Sequence, residues 1–205
     1  MQVCEITRSK DNRCWGIYKM DFYDKTYYFE KSDLTICQLQ ETFDDLVYQK
    51  LNVKGKVVID LGSNIGDTPI YFVWAGAKKV YGFECDKEVY DLSVKNVLLN
   101  NMQDKIHLFE GKVEDIGSAL CKVSNEDYCN MVLKIDIEHD EFDVVRNDSL
   151  QQLDLFDSII MEYHDNPETI ISYLETLGFK VETWIDKKRT KDFNWRTLGY
   201  ILATK

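Results

Sequence analysis

The stretch Val57-Val58-Ile59-Asp60-Leu61-Gly62-Ser63-Asn64-Ile65-Gly66-Asp67 decides the fold. An apolar, β-branched run ends in an acid, a small-residue loop follows, and a helical pattern begins beyond it. Such a run reads as a buried strand feeding a ligand-binding turn. A dinucleotide loop would show G-x-G-x-x-G and offer its backbone N–H groups to a pyrophosphate. Here Gly62 and Gly66 are spaced G-x-x-x-G, and Asp60 and Asp67 flank them.

Two carboxylates repel a diphosphate at close range. They suit a ligand with positive charge near the loop. S-adenosylmethionine has a sulfonium and an ammonium, and its single carboxylate can take the loop N–H groups. The plainer alternative is an ordinary strand-to-helix turn with solvated acids.

Downstream, the pattern alternates. Strands are predicted at Lys56 to Leu61, 79–84, Lys105 to Phe109, Asn130 to Asp136 and Ser158 to Glu162. Between them fall helices from near Asp67, over Lys87 to Asn100 with Asp86 as cap, within Val113 to Lys122, and over Phe142 to Leu153. Asn166 suits an N-cap, Pro167 the first turn and Gly178 the stop of a further helix. Two last strands, near Phe179 to Ile185 and Leu198 to Ala203, have no helix between them and should form a hairpin. The expected fold is therefore α/β and Rossmann-like. It has a seven-stranded, mostly parallel sheet, helices on both faces and a C-terminal antiparallel hairpin, the arrangement distinctive of class I methyltransferases.

Residues 1–53 lack this rhythm and read as an extension ahead of a domain spanning 54–205. Trp15 to Met20 and Thr26 to Glu30 look like strands, and Glu41 to Leu51 like a helix. The segment is rich in Tyr and Phe, and reads either as a cap over a substrate pocket or as packing.

The chain has 205 residues, enough for one well-buried domain. A formal net charge of −11 makes nucleic acid a poor general partner. No apolar run reaches membrane-spanning length, and the N-terminus lacks a signal-peptide core, so a cytoplasmic location is expected. The six cysteines contain no C-x-x-C pair and read as reduced thiols, several of them buried.

Four segments resemble the FkbM family of S-adenosylmethionine-dependent methyltransferases. Asp60 to Thr68 looks like the family's first cofactor loop, and Val80-Tyr81-Gly82-Phe83-Glu84 like its ribose-binding strand. Leu133-Lys134-Ile135-Asp136-Ile137-Glu138 looks like its fourth strand and acidic turn, and Ile160 to His164 like the end of its fifth. The family's usual proline after the ribose acid is Cys85 here, and the usual glycine after the turn acid is His139. The resemblance implies S-adenosylmethionine as cofactor and methyl transfer to an oxygen of a small molecule or glycan precursor.

The candidate cofactor contacts are Asp60, Gly62, Asn64, Gly66, Asp67, Glu84, Glu114 and Asp136. Glu84 ends its strand 18 residues after Gly66, where an acid can accept both ribose hydroxyls. Val113 could lie on an adenine face, with Glu114 or Asp115 accepting from its amino group. Asp136, Glu138 and His164 are the candidates for base or acceptor positioning. A divalent ion on Asp136 with Asp165-Asn166 is weighed and set aside, because Asn166 is explained as a helix cap, so no metal is expected. The basic run Lys187 to Lys191 is either an anion-binding patch or a solvated hairpin loop. The rival readings are an RNA base methyltransferase and a non-catalytic binding module of the same fold. Oligomeric state is not legible.

Overall fold

The computed structural model describes residues 2–10, 13–138, 140–148, 150–164, 166–187 and 198–205. It contains two sheets. β1 (Gln2–Lys10), β2 (Arg13–Phe22) and β3 (Lys25–Glu30) form a small antiparallel sheet. α1 (Thr35–Leu39) follows and continues directly into a π-helical turn over Gln40–Asp44. The predicted helix over 41–51 is thus displaced toward the N-terminus, and residues 47–50 form a turn. Leu46, with φ at 53°, lies in the left-handed region, which a helix does not tolerate.

The second sheet contains β4 (Val57–Leu61), β5 (Lys79–Glu84), β6 (Ile106–Glu110), β7 (Met131–Ile135), β8 (Phe156–Tyr163), β9 (Lys180–Ile185) and β10 (Gly199–Thr204). Their order is β6-β5-β4-β7-β8-β10-β9. The first five strands pair in parallel, and β10 runs antiparallel between β8 and β9. This is the seven-stranded sheet with a terminal hairpin that the alternation predicts.

Strand periodicity divides the core into two faces. Val57, Ile59 and Leu61 of β4 join Met131, Leu133 and Ile135 of β7 on one face. That face is covered by α4 (Ile116–Leu120), α5 (Glu141–Arg146) and α6 (Glu168–Thr176). Val58 and Val132 point the other way, toward α2 (Asp67–Trp74), α3 (Lys87–Leu99) and the N-terminal residues Met20, Phe22, Phe29 and Phe43. The extension therefore completes one of the two core layers. Asn96 of α3 and Asn100 at its C-cap fasten it. Asn100 exchanges hydrogen bonds with the Tyr28 backbone at 2.9 and 2.7 Å. Asn96 accepts from Glu30 N–H at 2.7 Å and donates to the Ile65 carbonyl at 2.8 Å.

Two further expectations need correction. The helix predicted to reach Leu153 ends at Arg146. Buried Asp148 then accepts from the Gln152 and Leu153 N–H groups at 2.7 and 3.1 Å, which starts a new turn instead of prolonging the old one. The five cysteines whose side chains are described, Cys4, Cys37, Cys85, Cys121 and Cys129, are free and exposed rather than buried, and Cys85, Cys121 and Cys129 fall outside the helices and strands. Among the described residues, no helix is long and apolar enough to cross a membrane.

Candidate active site

Strand order reverses between β4 and β7, and ligands in open α/β sheets bind beyond the strand ends at such a switch point. The cleft lies there. Its walls come from the β4 loop (Gly62, Asn64), the end of β5 (Phe83, Glu84), the turn after β6 (Gly111, Val113), the end of β7 (Lys134, Asp136) and the N-terminal segment (Glu41, Tyr48).

The loop needs its glycine. Gly62 has φ at 81°, and a Cβ there would sit 1.7 Å from the Asp136 carbonyl oxygen. The backbones of β4 and β7 close on each other at this point, and Asp136 N–H donates to the Leu61 carbonyl at 3.0 Å. Gly66, with φ at 84°, caps α2. Asn64 N–H donates to one Glu84 oxygen at 3.0 Å, and Asp86 N–H donates to the other at 2.8 Å. The Glu84 carboxylate is therefore held in place at the strand end.

The two acids of the opening motif do different things. Asp60 lies beneath the cleft and not among its lining residues. Its Oδ2 accepts from Thr68 Oγ1 at 2.6 Å, and its Oδ1 is 3.1 Å from Lys134 Nζ. Burial opposes the charge on Lys134, but the Asp60 and Asp136 carboxylates outweigh it and keep the ammonium protonated. Direct ligand contact by Asp60 is thereby replaced by a floor role: a carboxylate this deep needs a cation, and the chain supplies its own. Asp67 does line the cleft. Burial pushes its carboxyl up to about 7, against the opposing hydrogen bond from Thr42 Oγ1. Asp67 Oδ1 is buried with no hydrogen-bond partner.

Glu114 is exposed and stands outside the cleft lining, so its side chain is not positioned as a cofactor contact here. Val113 remains in the wall, while Asp115 caps α4 by accepting from Ser118 N–H at 2.7 Å. Lys112 and Asp140, both in the lining, form a 2.7 Å ion pair.

Glu41 and Asp136, both in the lining, and Glu162, buried behind them, each bring a carboxylate oxygen within 4.8 Å of the others. Glu138 sits close by with φ at 52°, an uncommon conformation for a residue with a side chain. His164 lies behind this wall and not in the lining. Its Nε2 is 3.2 Å from Glu162 and 3.7 Å from Glu138, and its Nδ1 is 3.8 Å from Glu141. Burial disfavours its charge, yet the Glu141 and Glu162 carboxylates prevail and raise it to about 10. An imidazolium has no lone pair to accept a proton. His164 thus stands among three glutamates as the partner of an acidic cluster, outside the cleft wall where the general base suggested by its sequence position would stand.

Tyr48, Glu41 and Thr42 were absent from the sequence-derived candidates. Tyr48 Oη donates to Asp136 Oδ2 at 2.6 Å across 88 residues of chain, and no local pattern announces such a contact. His139, Asp165 and Lys188 to Lys191 lie outside the described residues.

No family model matches the chain. The ribosomal protein arginine N-methyltransferase rmt3 of Schizosaccharomyces pombe is 31% identical over 107 residues, or 48% of this chain and 20% of that protein. Protein arginine N-methyltransferase 6 of Danio rerio is 33% identical over 104 residues, or 47% of this chain and 30% of its own length. The match thus spans less than a third of each of these curated relatives. Sp1610 of Streptococcus pneumoniae, a candidate tRNA (m1A22) methyltransferase, has been solved with S-adenosyl-L-methionine. It superposes with a TM-score of 0.60 at 18% identity, over 78% of this chain and 70% of that one. Strand order, hairpin and superposition agree: the chain has the Rossmann-like fold of the class I methyltransferases.

Proposed function

We propose that the protein is an S-adenosylmethionine-dependent methyltransferase. The supporting observation is the pairing, in one cleft, of the tight Gly62 approach to Asp136 with the fixed carboxylate of Glu84. The residues fit the cofactor. Glu84 would accept the ribose hydroxyls, Val113 would lie against the adenine, and Asn64 with the first turn of α2 would face the methionine carboxylate. The unpartnered Oδ1 of Asp67 offers its ammonium an acceptor. When bound, the cofactor supplies an electrophilic methyl group. The chain's own contribution is to align an acceptor nucleophile beside Asp136, exclude water and compensate charge there. The relatives' names, arginine N-methyltransferases, support the same chemistry.

The acceptor end is acidic, with Glu41, Asp136 and Glu138 in its wall. This favours a nitrogen acceptor carrying positive charge, since carboxylates both bind it and compensate the charge that methyl transfer leaves behind. The FkbM-like segments favour a second reading, O-methylation of a small molecule or glycan precursor.

Titration calorimetry with S-adenosylmethionine and S-adenosylhomocysteine tests the cofactor, with NAD as the control. Absence of binding at millimolar ligand rejects the assignment. Transfer of labelled methyl to arginine-rich peptides, polyol and glycan precursors, and transfer RNA then separates the acceptors. Turnover on transfer RNA would revive the RNA reading. Binding without turnover on any of them would favour a non-catalytic module.

A further inference from the structure

We infer that Tyr48, in the N-terminal segment, is the positioning residue for Asp136 at the methyl-accepting end of the cleft; this rests on the methyltransferase reading above. Asp136 is crowded. Carboxylate oxygens of Glu41 and Glu162 lie within 4.8 Å of one of its own, and like charges at that range push a free side chain away. What holds it is a pair of contacts to a single oxygen. Tyr48 Oη donates to Asp136 Oδ2 at 2.6 Å, and Lys134 Nζ lies 3.7 Å from the same atom. Asp136 lines the cleft, so its other oxygen is the one left for a ligand.

Tyr48 is built for this task. Its side chain is buried against Phe72, and its ring centroid lies 5.3 Å from Lys134 Nζ, so ring and ammonium support each other beside Asp136. Burial, reinforced by the Asp136 charge, holds the phenol well above its ordinary range, and it therefore stays a donor. Thr42, six residues earlier, makes the parallel contact to Asp67. The segment that reads as a cap in the sequence thus reaches two acids of the cleft, one at each of its contacts.

Sinefungin tests this without knowledge of the acceptor. It is an analogue of S-adenosylmethionine with an amine-bearing carbon in place of the methyl-bearing sulfur. Its ammonium would project toward Asp136, whereas S-adenosylhomocysteine projects nothing. The wild-type protein should bind sinefungin more tightly than S-adenosylhomocysteine. Tyr48→Phe should keep S-adenosylhomocysteine affinity within about twofold and reduce the sinefungin preference by about fivefold or more. Asp136→Asn should reduce it similarly, and adding Tyr48→Phe to Asp136→Asn should change nothing further. Tyr27→Phe, which removes another buried hydroxyl of the same core layer, should leave the preference intact. An unchanged preference in Tyr48→Phe, or an effect that persists in the Asp136→Asn background, overturns the inference alone. Failure of the wild-type protein to bind either ligand overturns the methyltransferase reading with it.

Discussion

Lys134 Nζ lies 3.1 Å from Asp60 Oδ1, and the side chains are 1% and 0% exposed. The ammonium also donates to the Leu61 and Gly62 carbonyls at 3.3 and 2.5 Å. A buried lysine therefore ties the end of β4 to β7 directly under the ligand loop.

Removing one member of that pair strands the other. Lys134→Met should destabilise the protein by about 3–5 kcal/mol, because Asp60 is left charged and sealed. Adding Asp60→Asn should recover part of the loss. Urea unfolding of the wild type and the two variants checks this, and equal stability of the single and double variants would refute the pairing argument.

Asp67 sets one pH dependence. Its folded value, about 7, lies above the ordinary 3.8, so the folded chain holds the extra proton between these limits. Its contribution to stability is complete below about pH 4 and declines as pH rises to about 7. Asp67→Asn cannot ionise, so its stability relative to wild type should improve from pH 4 to pH 8, by on the order of 2 kcal/mol. Parallel melting curves across that range would count against a buried, proton-holding Asp67.

His164 sets another, on the alkaline side. Its folded value, about 10, exceeds the ordinary 6.5, so its ion pairs stabilise the fold fully below pH 6.5 and fade as pH rises through 10. His164→Gln should cost about 3 kcal/mol at pH 6 and progressively less toward pH 10.5. Denaturant midpoints at the two pH values make the comparison. A constant deficit would mean that packing, not charge, is what His164 supplies.

Gly62→Ala should unfold the site rather than tune it. The left-handed backbone and the collision with the Asp136 carbonyl together should exceed about 3 kcal/mol. Gly55, with φ at 72° but nothing near its missing Cβ, is the control, and its alanine variant should cost about 1 kcal/mol. Thermal melts of both variants would decide it.

Glu84→Ala should weaken cofactor binding tenfold or more, about 1.4 kcal/mol, through lost charged hydrogen bonds. Calorimetry with S-adenosylhomocysteine measures it, and unchanged affinity would remove Glu84 from the ribose role.

What the sequence made legible is what short-range periodicity controls. The apolar runs of β4 and β7, the Asp86 cap that accepts from Glu88 and Val89, and the β9–β10 hairpin all follow from neighbours in the chain. Asn166, expected as the cap, accepts from Glu168 N–H at 3.0 Å, but Pro167 takes the capping position and α6 begins one residue later than expected. The rest depends on partners chosen in three dimensions. Nothing around Lys134 reveals that it neutralises Asp60, and nothing around Tyr48 reveals Asp136. Acids that look alike on paper separate in the fold, because Asp60 is sunk beneath the cleft and supplied with a cation while Asp67 lines the cleft and keeps an oxygen without a hydrogen-bond partner. The same blindness affects His164, whose surroundings are three glutamates from a turn, a helix and a strand.

The shared core layer bears on how the protein can be handled. Phe22 and Phe29 each pack edge-on against Phe43, which packs edge-on against Tyr71 of α2. A shortened chain beginning at residue 54 would bare Ile70, Tyr71, Phe72 and Val80 to water and leave Asn96 and Asn100 without the backbone they grip. Such a fragment, with an apolar face uncovered, would aggregate. Trimming from the front will yield material fit for crystals or screening only while the aromatic lid over α2 stays attached.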